Sequence, residues 1–185
     1  MSPYEELSQR VDVVVRRHLR CVVVGFDRLN NAVSQYVPSN PPRLHYVTSL
    51  TDQQRTVVLV HELTHASLHP PGSEDYDERE YFDHEEPSSH TAAATICARF
   101  EVDDYWTLMR DVGLDVDRCG SGDEEIIEVM VERVIGALSS PHTFPEWASA
   151  VDRNLWNQAI QVTPECLALL AAKKSRYRGR LTRCA

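Results

Sequence analysis

The sequence has no apolar run that approaches the roughly 20 residues a helix needs to span a bilayer. Its first residues lack the basic segment and apolar core of a secretory signal. Glycine loops of the GxGxxG or Walker type, which bind nucleotide phosphates, are absent as well. We therefore expect a cytoplasmic protein that does not associate with membranes.

Cysteine is scarce, and the spacing of the cysteines matches no common motif. The chain has 5 cysteines, an odd number, and no C-x-x-C pair occurs. This pattern indicates neither a disulfide framework nor a zinc ribbon. We expect reduced thiols, several of which serve as packing residues. The cysteines are Cys21, Cys97, Cys119, Cys166 and Cys184.

Basic residues are too few for a nucleic-acid-binding surface, since the formal net charge is −9. We expect no direct contact with nucleic acid, which requires a basic face. The acids concentrate in the segment from Glu74 to Glu86, which we interpret as a solvated loop, with attraction of a basic partner as the alternative. The basic segment 173–185 is interpreted as a solvated terminus, with contact to nucleic acid or an acidic partner as the alternative.

One motif indicates a chemistry. His61-Glu62-Leu63-Thr64-His65 has the form HExxH. On a helix, residues i and i+4 lie about 40° apart around the axis and about 6 Å apart along it, so both imidazoles can reach one zinc ion. Glu62 lies about 100° round the helix from His61, which suits a general base for the attacking water. The alternative is a core helix in which both histidines only satisfy local hydrogen bonds.

Flanking residues place this motif in the middle of a helix. Thr51-Asp52-Gln53-Gln54 is a capping box that starts the helix at Asp52, and a strand is predicted before it, from Arg43 to Ser49. Pro70-Pro71-Gly72 ends the helix. Its predicted buried side consists of Val57, Val58, Val60, Leu63, Thr64 and Leu68.

The remaining pattern predicts an α+β fold, with a small N-terminal sheet packed on a zincin-like HExxH helix and a mainly helical C-terminal half. Ser2 caps a helix to about Leu19, with Leu7, Val11, Val14 and Val15 inward, and a strand follows at Cys21–Phe26. The stretch from Asn30 to Tyr36 is either a loop or a third strand. Five further helices are predicted, at about Ser89 to Phe100, Asp104 to Val112, Ser121 to Leu138, Thr143 to Ile160 and Thr163 to Ala172. Ser88 or Ser89 is the predicted cap of the first of these.

The length of 185 residues suits one domain. Within it, residues 1–105 hold the sheet and the HExxH core, residues 106–172 the helical part, and residues 173–185 the basic tail.

A catalytic zinc ion usually takes three protein ligands, so His61 and His65 need a partner. His90 is the favoured candidate, because small residues at Ala92, Ala93, Ala94 and Ala98 allow its helix to pack closely on the motif helix. Glu85 or Glu86, and then His84, are the alternatives. His69 lies about 12 Å along a regular helix from His61, too far for one ion, and suits a helix end or a second-shell donor.

The segment from Arg43 to His69, with its strand, polar helix start and H-E-L-x-H helix, resembles the ImmA/IrrE family of metallopeptidases. The resemblance continues through Ala93, Ala94, Cys97 and Ala98 and covers roughly residues 40–105. In that family, a glutamate three residues before an alanine supplies the third ligand. Here the corresponding position is His90, so His90 replaces the glutamate, or a nearby glutamate does, or metal binding is weaker.

The resemblance implies a zinc-dependent endopeptidase of bacteria or their mobile elements, such as phages, that cleaves a protein substrate, for example a helix-turn-helix repressor. Zn²⁺ would be held by His61, His65 and His90, with Glu62 as the catalytic base. The alternative is a peptidase-like binding module that captures a partner without cutting it.

Overall fold

The computed structural model describes residues 1–29, 32–39, 41–69, 85–116, 119, 122–140, 145 and 147. In this part of the chain, a small sheet lies near the N-terminus and helices surround and follow it, so the predicted α+β class is confirmed. No helix within these residues has the length and apolar character that crossing a membrane requires.

The first helix and the sheet follow the sequence pattern closely. Helix α1 (Pro3–Val13) has the predicted Ser2 capping box and continues as a π-helical turn (Val14–His18). Strands β1 (Val22–Phe26), β2 (Ser34–Val37) and β3 (Arg43–Val47) form a sheet of order β1-β3-β2. Strand β3 pairs parallel with β1 and antiparallel with β2. The segment that the sequence left open as loop or strand therefore contributes β2, beginning at Ser34.

Helix α2 (Asp52–Leu68) carries the HExxH motif and lies in the centre of the fold. The predicted Thr51 capping box is present, with the Thr51 hydroxyl accepting from the Gln54 amide and the Gln54 side chain accepting from the Thr51 amide. Every residue from Thr56 to Ser67 is buried except Leu59. Because α1, β2 and the later helices all pack against it, α2 is enclosed on more sides than the single apolar face predicted.

Three helices follow in the described part of the chain: α3 (Glu86–Arg99), α4 (Tyr105–Asp111) and α5 (Glu124–Ser139). Both α3 and α5 pack on α2 and on each other. Ala92 and Ala93 lie in the buried face of α3 as predicted, whereas Ala94 is half-buried and Ala98 is exposed. Side chains from α1, the sheet and all the later helices join one hydrophobic cluster with those of α2.

Two predicted helix starts are wrong. Helix α3 begins at Glu86, one turn before the predicted Ser88 or Ser89 cap, because Pro87 occupies its first turn, where a missing amide hydrogen costs nothing. Both serines are buried within the helix. Helix α5 is capped by Asp123, whose carboxylate accepts from the Glu125 and Ile126 amides. The helices predicted after Thr143, the acidic loop up to His84 and the basic tail lie outside the described residues, apart from Pro145 and Trp147.

Candidate metal centre

Two helices each bring a pair of potential ligands with the same spacing to one point. Helix α2 contributes His61 and His65, and α3 contributes Glu86 and His90. Each pair is separated by four residues, so each lies on one face of its helix. Close packing of α3 on α2 sets the two pairs opposite each other, with the rings of His61 and His90 stacked at 4.2 Å between centroids.

The donor atoms of these four residues lie close together. The Glu86 Oε1 atom is 3.5 Å from His61 Nε2 and 3.3 Å from His90 Nε2. His65 Nε2 is 3.1 Å from Glu86 Oε2 and 3.2 Å from His61 Nε2. Donor atoms of His61, Glu86 and His90 all lie within 4.8 Å of one another, which allows them to hold one metal ion. His65 lies next to this group, because its Nε2 atom contacts both Glu86 and His61.

These separations suit a small divalent ion. Four ligands at the corners of a tetrahedron, each about 2.0–2.2 Å from the ion, are about 3.3–3.6 Å apart. The four separations given above, two of which involve Glu86 Oε1 and one Glu86 Oε2, are 3.1–3.5 Å and fall close to that range. Imidazole nitrogen and carboxylate oxygen are also ligands that zinc takes in proteins. The residues therefore fit a metal centre in both geometry and chemistry.

Glu85 lies beside this centre but contacts it from the outer side. Its Oε1 atom accepts a hydrogen bond from His65 Nδ1 at 2.7 Å, and its Oε2 atom accepts from His69 Nε2 at 2.7 Å. A carboxylate on the distal nitrogen orients an imidazole and fixes which nitrogen is free to bind an ion. His69 thus donates to the carboxylate that holds His65.

His90 has a comparable distal partner. The Tyr105 hydroxyl, in α4, lies 2.9 Å from His90 Nδ1, and Tyr105 is fully buried. If Nε2 faces an ion, Nδ1 carries the proton and donates it to this hydroxyl. His61 differs, because its Nδ1 is buried and has no hydrogen-bond partner among the described residues. Two of the three imidazoles are thus held at both nitrogens.

The Glu62 carboxylate contacts the edge strand β2. It accepts a hydrogen bond from the Ser34 hydroxyl and another from the Tyr36 backbone amide. Burial raises the pKa of Glu62, while His65 and these hydrogen bonds act in the opposite direction. Glu62 is buried, so its orientation is set by the strand and not by solvent. On α2, the His61 and His65 side chains therefore contact α3, whereas the Glu62 carboxylate contacts the sheet.

The surroundings of the cluster favour the neutral form of His61 and His90, which is the form that binds a metal ion. Burial lowers the pKa of His61 and of His90, which keeps both imidazoles neutral. Burial acts the same way on His65, but its hydrogen bonds to Glu85 and Glu86 outweigh it and raise the pKa of His65 to about 10. Burial also opposes ionisation of Glu86, yet the surrounding histidines hold the pKa of Glu86 well below its usual range.

The structure thus brings together His61, His65 and His90, the three histidines predicted as ligands, and adds Glu86 to them. The sequence treated His90 and the glutamates as competing candidates, because it placed Glu86 in a loop. The i,i+4 spacing of Glu86 and His90, together with Pro87 as a helix-start signal, could have identified both as members of one helix face. His84 lies outside the described residues.

Comparison of the chain with protein-family models, with curated proteins and with solved structures finds no match.

Proposed function

We propose that the protein is a zinc-dependent endopeptidase, in which His61, His65 and His90 hold Zn²⁺ and Glu62 acts as general base. The observation that carries the proposal is that Nε2 of His61, His65 and His90, from two packed helices, each lies within 3.5 Å of a Glu86 carboxylate oxygen, with the buried Glu62 of the HExxH motif on the same helix as two of them. The resemblance of residues 40–105 to ImmA/IrrE metallopeptidases supports the same activity.

The chain's own residues would divide the work as follows. The bound zinc ion would supply Lewis acidity, which polarises the scissile carbonyl and makes water easier to deprotonate. Glu62 takes the proton from the attacking water at its carboxylate and gives it to the departing amine. Ser34 and the Tyr36 amide hold that carboxylate in place. Glu85 and Tyr105 orient His65 and His90 through their distal nitrogens.

The proposed substrate is a protein or peptide, and the family resemblance points to a bacterial or phage regulator such as a helix-turn-helix repressor. No helix-turn-helix segment is evident in this sequence.

The test is the change Glu62→Gln, which keeps the size of the side chain and removes its basicity. We expect the wild type, loaded with zinc, to cleave members of a proteome-derived peptide library scored by mass spectrometry. Glu62→Gln should lower that cleavage by about 10²–10⁴-fold, the usual contribution of a general base, while still binding zinc. Glu128→Gln, an exposed glutamate on α5, is the matched control and should cleave normally. Cleavage by Glu62→Gln at the wild-type rate would exclude the mechanism.

A second candidate is a binding module that captures a partner without cutting it. One observation favours it: the cluster contains four protein donors, and zinc sites with four protein ligands are usually structural. Metal bound in stoichiometric amount, with no cleavage product from the library and a stable complex with a co-encoded DNA-binding protein, would favour this candidate over the enzyme.

A further inference from the structure

Glu86 occupies the side of the cluster that faces solvent. Its side chain is 23 % exposed, whereas the side chains of His61, His65 and His90 are only 7, 3 and 4 % exposed. Of the four side chains in the cluster, Glu86 is therefore the one most accessible to a molecule in solvent. Enzymatic zinc sites keep one coordination position open for water or substrate, so the group on the open side decides whether that position is free.

The contacts of Glu86 differ in kind from those of its neighbour. Glu85 contacts the distal nitrogen of His65, on the outer side of the ring. Glu86 instead lies among the Nε2 atoms of all three histidines, through both of its oxygens. The two adjacent carboxylates thus make different contacts. Glu85 binds the distal nitrogen of one proposed ligand, His65, whereas Glu86 lies among the nitrogens that would bind the ion.

The distances also fit a ligand better than a simple ion pair. Charge-assisted hydrogen bonds between an imidazolium and a carboxylate are about 2.7–2.9 Å long, as the bond between Glu85 and His65 is. Glu86 Oε1 is 3.5 Å from His61 Nε2 and 3.3 Å from His90 Nε2, and Glu86 Oε2 is 3.1 Å from His65 Nε2, so all three contacts are longer than the bond between Glu85 and His65. Such spacing is what donor atoms around one ion would have.

Resting on the proposed function, we propose that Glu86 is a fourth protein ligand of the metal and closes the coordination position that catalysis needs open. The described conformation is then a shielded resting state, and a peptide substrate gains access when the Glu86 carboxylate moves aside. Its place in the first turn of α3, next to the helix start, gives the side chain a route toward solvent that the buried histidines lack.

The first experiment measures metal binding. Zinc affinity is determined by competition with a chromophoric chelator for the wild type, Glu86→Ala and the exposed control Glu128→Ala. We expect Glu86→Ala to raise the zinc Kd by at least about tenfold, since even outer-shell changes cost about 10–100-fold, and the control to leave it unchanged. Circular dichroism checks that the variants are folded. If Glu86→Ala is not folded, Glu86→Gln, which keeps the shape of the side chain, takes its place in the measurement.

The second experiment asks whether a coordination position is open. The proteins are loaded with Co²⁺, and azide is added while the visible absorption is recorded. We expect azide to leave the wild-type spectrum unchanged and to alter that of Glu86→Ala. If azide alters both spectra alike, Glu86 is not a ligand in the resting protein and the inference fails, whether or not the protein cleaves peptides.

Cleavage at saturating zinc then tests the shielding. Glu86→Ala should raise kcat/KM on the peptide library by about tenfold or more, which corresponds to a closed state favoured by at least about 1.4 kcal/mol. If azide leaves the wild-type cobalt spectrum unchanged but Glu86→Ala cleaves no faster than the wild type, Glu86 does not shield the site. If azide enters only Glu86→Ala and neither protein cleaves any peptide, the fourth ligand is supported and the endopeptidase activity is what fails.

Discussion

The contact between Tyr105 and His90 offers a direct test of whether His90 is a metal ligand. Tyr105→Phe keeps the ring and its packing against Trp106, and removes only the hydroxyl that lies 2.9 Å from His90 Nδ1. Because His90 and Tyr105 are both buried, no solvent replaces the lost partner. The change therefore leaves one polar nitrogen of His90 unsatisfied in the interior.

Two separate losses follow from the change. The metal-free protein should lose about 1–3 kcal/mol of unfolding free energy, the usual cost of an unpaired buried polar group. For a chain of this size, each kcal/mol lowers Tm by about 2–4 °C, so the expected drop is about 2–12 °C. Zinc affinity should fall by about 10–100-fold, because His90 would no longer be held in the tautomer and orientation that present Nε2 to the ion.

Tyr36→Phe is the matched control. Tyr36 is also buried, but its hydroxyl donates to the His69 carbonyl at 3.0 Å and touches no proposed ligand ring. Its removal should cost comparable stability and change zinc affinity far less. Urea unfolding followed by circular dichroism gives the first quantity, and chelator competition gives the second. Equal zinc affinities for the two variants would refute the assignment of His90 as a ligand oriented by Tyr105.

Three further outcomes are expected from the fold. Thr51→Ala removes the capping box of α2 and should cost about 1 kcal/mol in urea unfolding; no loss would mean that the cap does not stabilise the central helix. Gly122→Ala should destabilise more than Gly113→Ala, because both have positive φ but only at Gly122 would a Cβ lie 2.6 Å from backbone atoms of Ser88, so equal losses of Tm would contradict the close approach of α3 and α5. Cys21 and Cys97 are buried, and burial raises the pKa of Cys97 to about 12, so both should resist Ellman's reagent at pH 8 until the protein unfolds; rapid labelling of either in peptide mapping of the native protein would show that this core opens.

Features that depend on a few neighbouring residues were predictable from the sequence. The Ser2 and Thr51 capping boxes set two helix starts, and both occur where they were expected. His61 and His65 share a face because their spacing matches the helical repeat, whatever the surroundings. The α+β class followed from the order of short β-branched runs and longer amphipathic ones. In each case the physical cause acts within one turn of helix or one strand.

The start of α3 was the point at which local reasoning failed. A serine cap was a reasonable expectation for Ser88 or Ser89, yet both are buried, and the Ser88 hydroxyl accepts from the Asp123 amide at the start of α5. Ser88, which the sequence pattern assigned to a helix cap, instead connects α3 to the start of α5. The extra turn at the beginning of α3 is what places Glu86 one helical turn before His90.

The sequence by itself determined that two imidazoles and a glutamate lie on one helix, since periodicity along a single element is a local property. Only the tertiary structure decided what meets them. Packing of α3 on α2 brings Glu86 and His90 to the two histidines, α4 supplies Tyr105, and β2 binds Glu62 through Ser34. Contacts between residues distant in sequence depend on how helices and strands pack, and no local pattern encodes that packing.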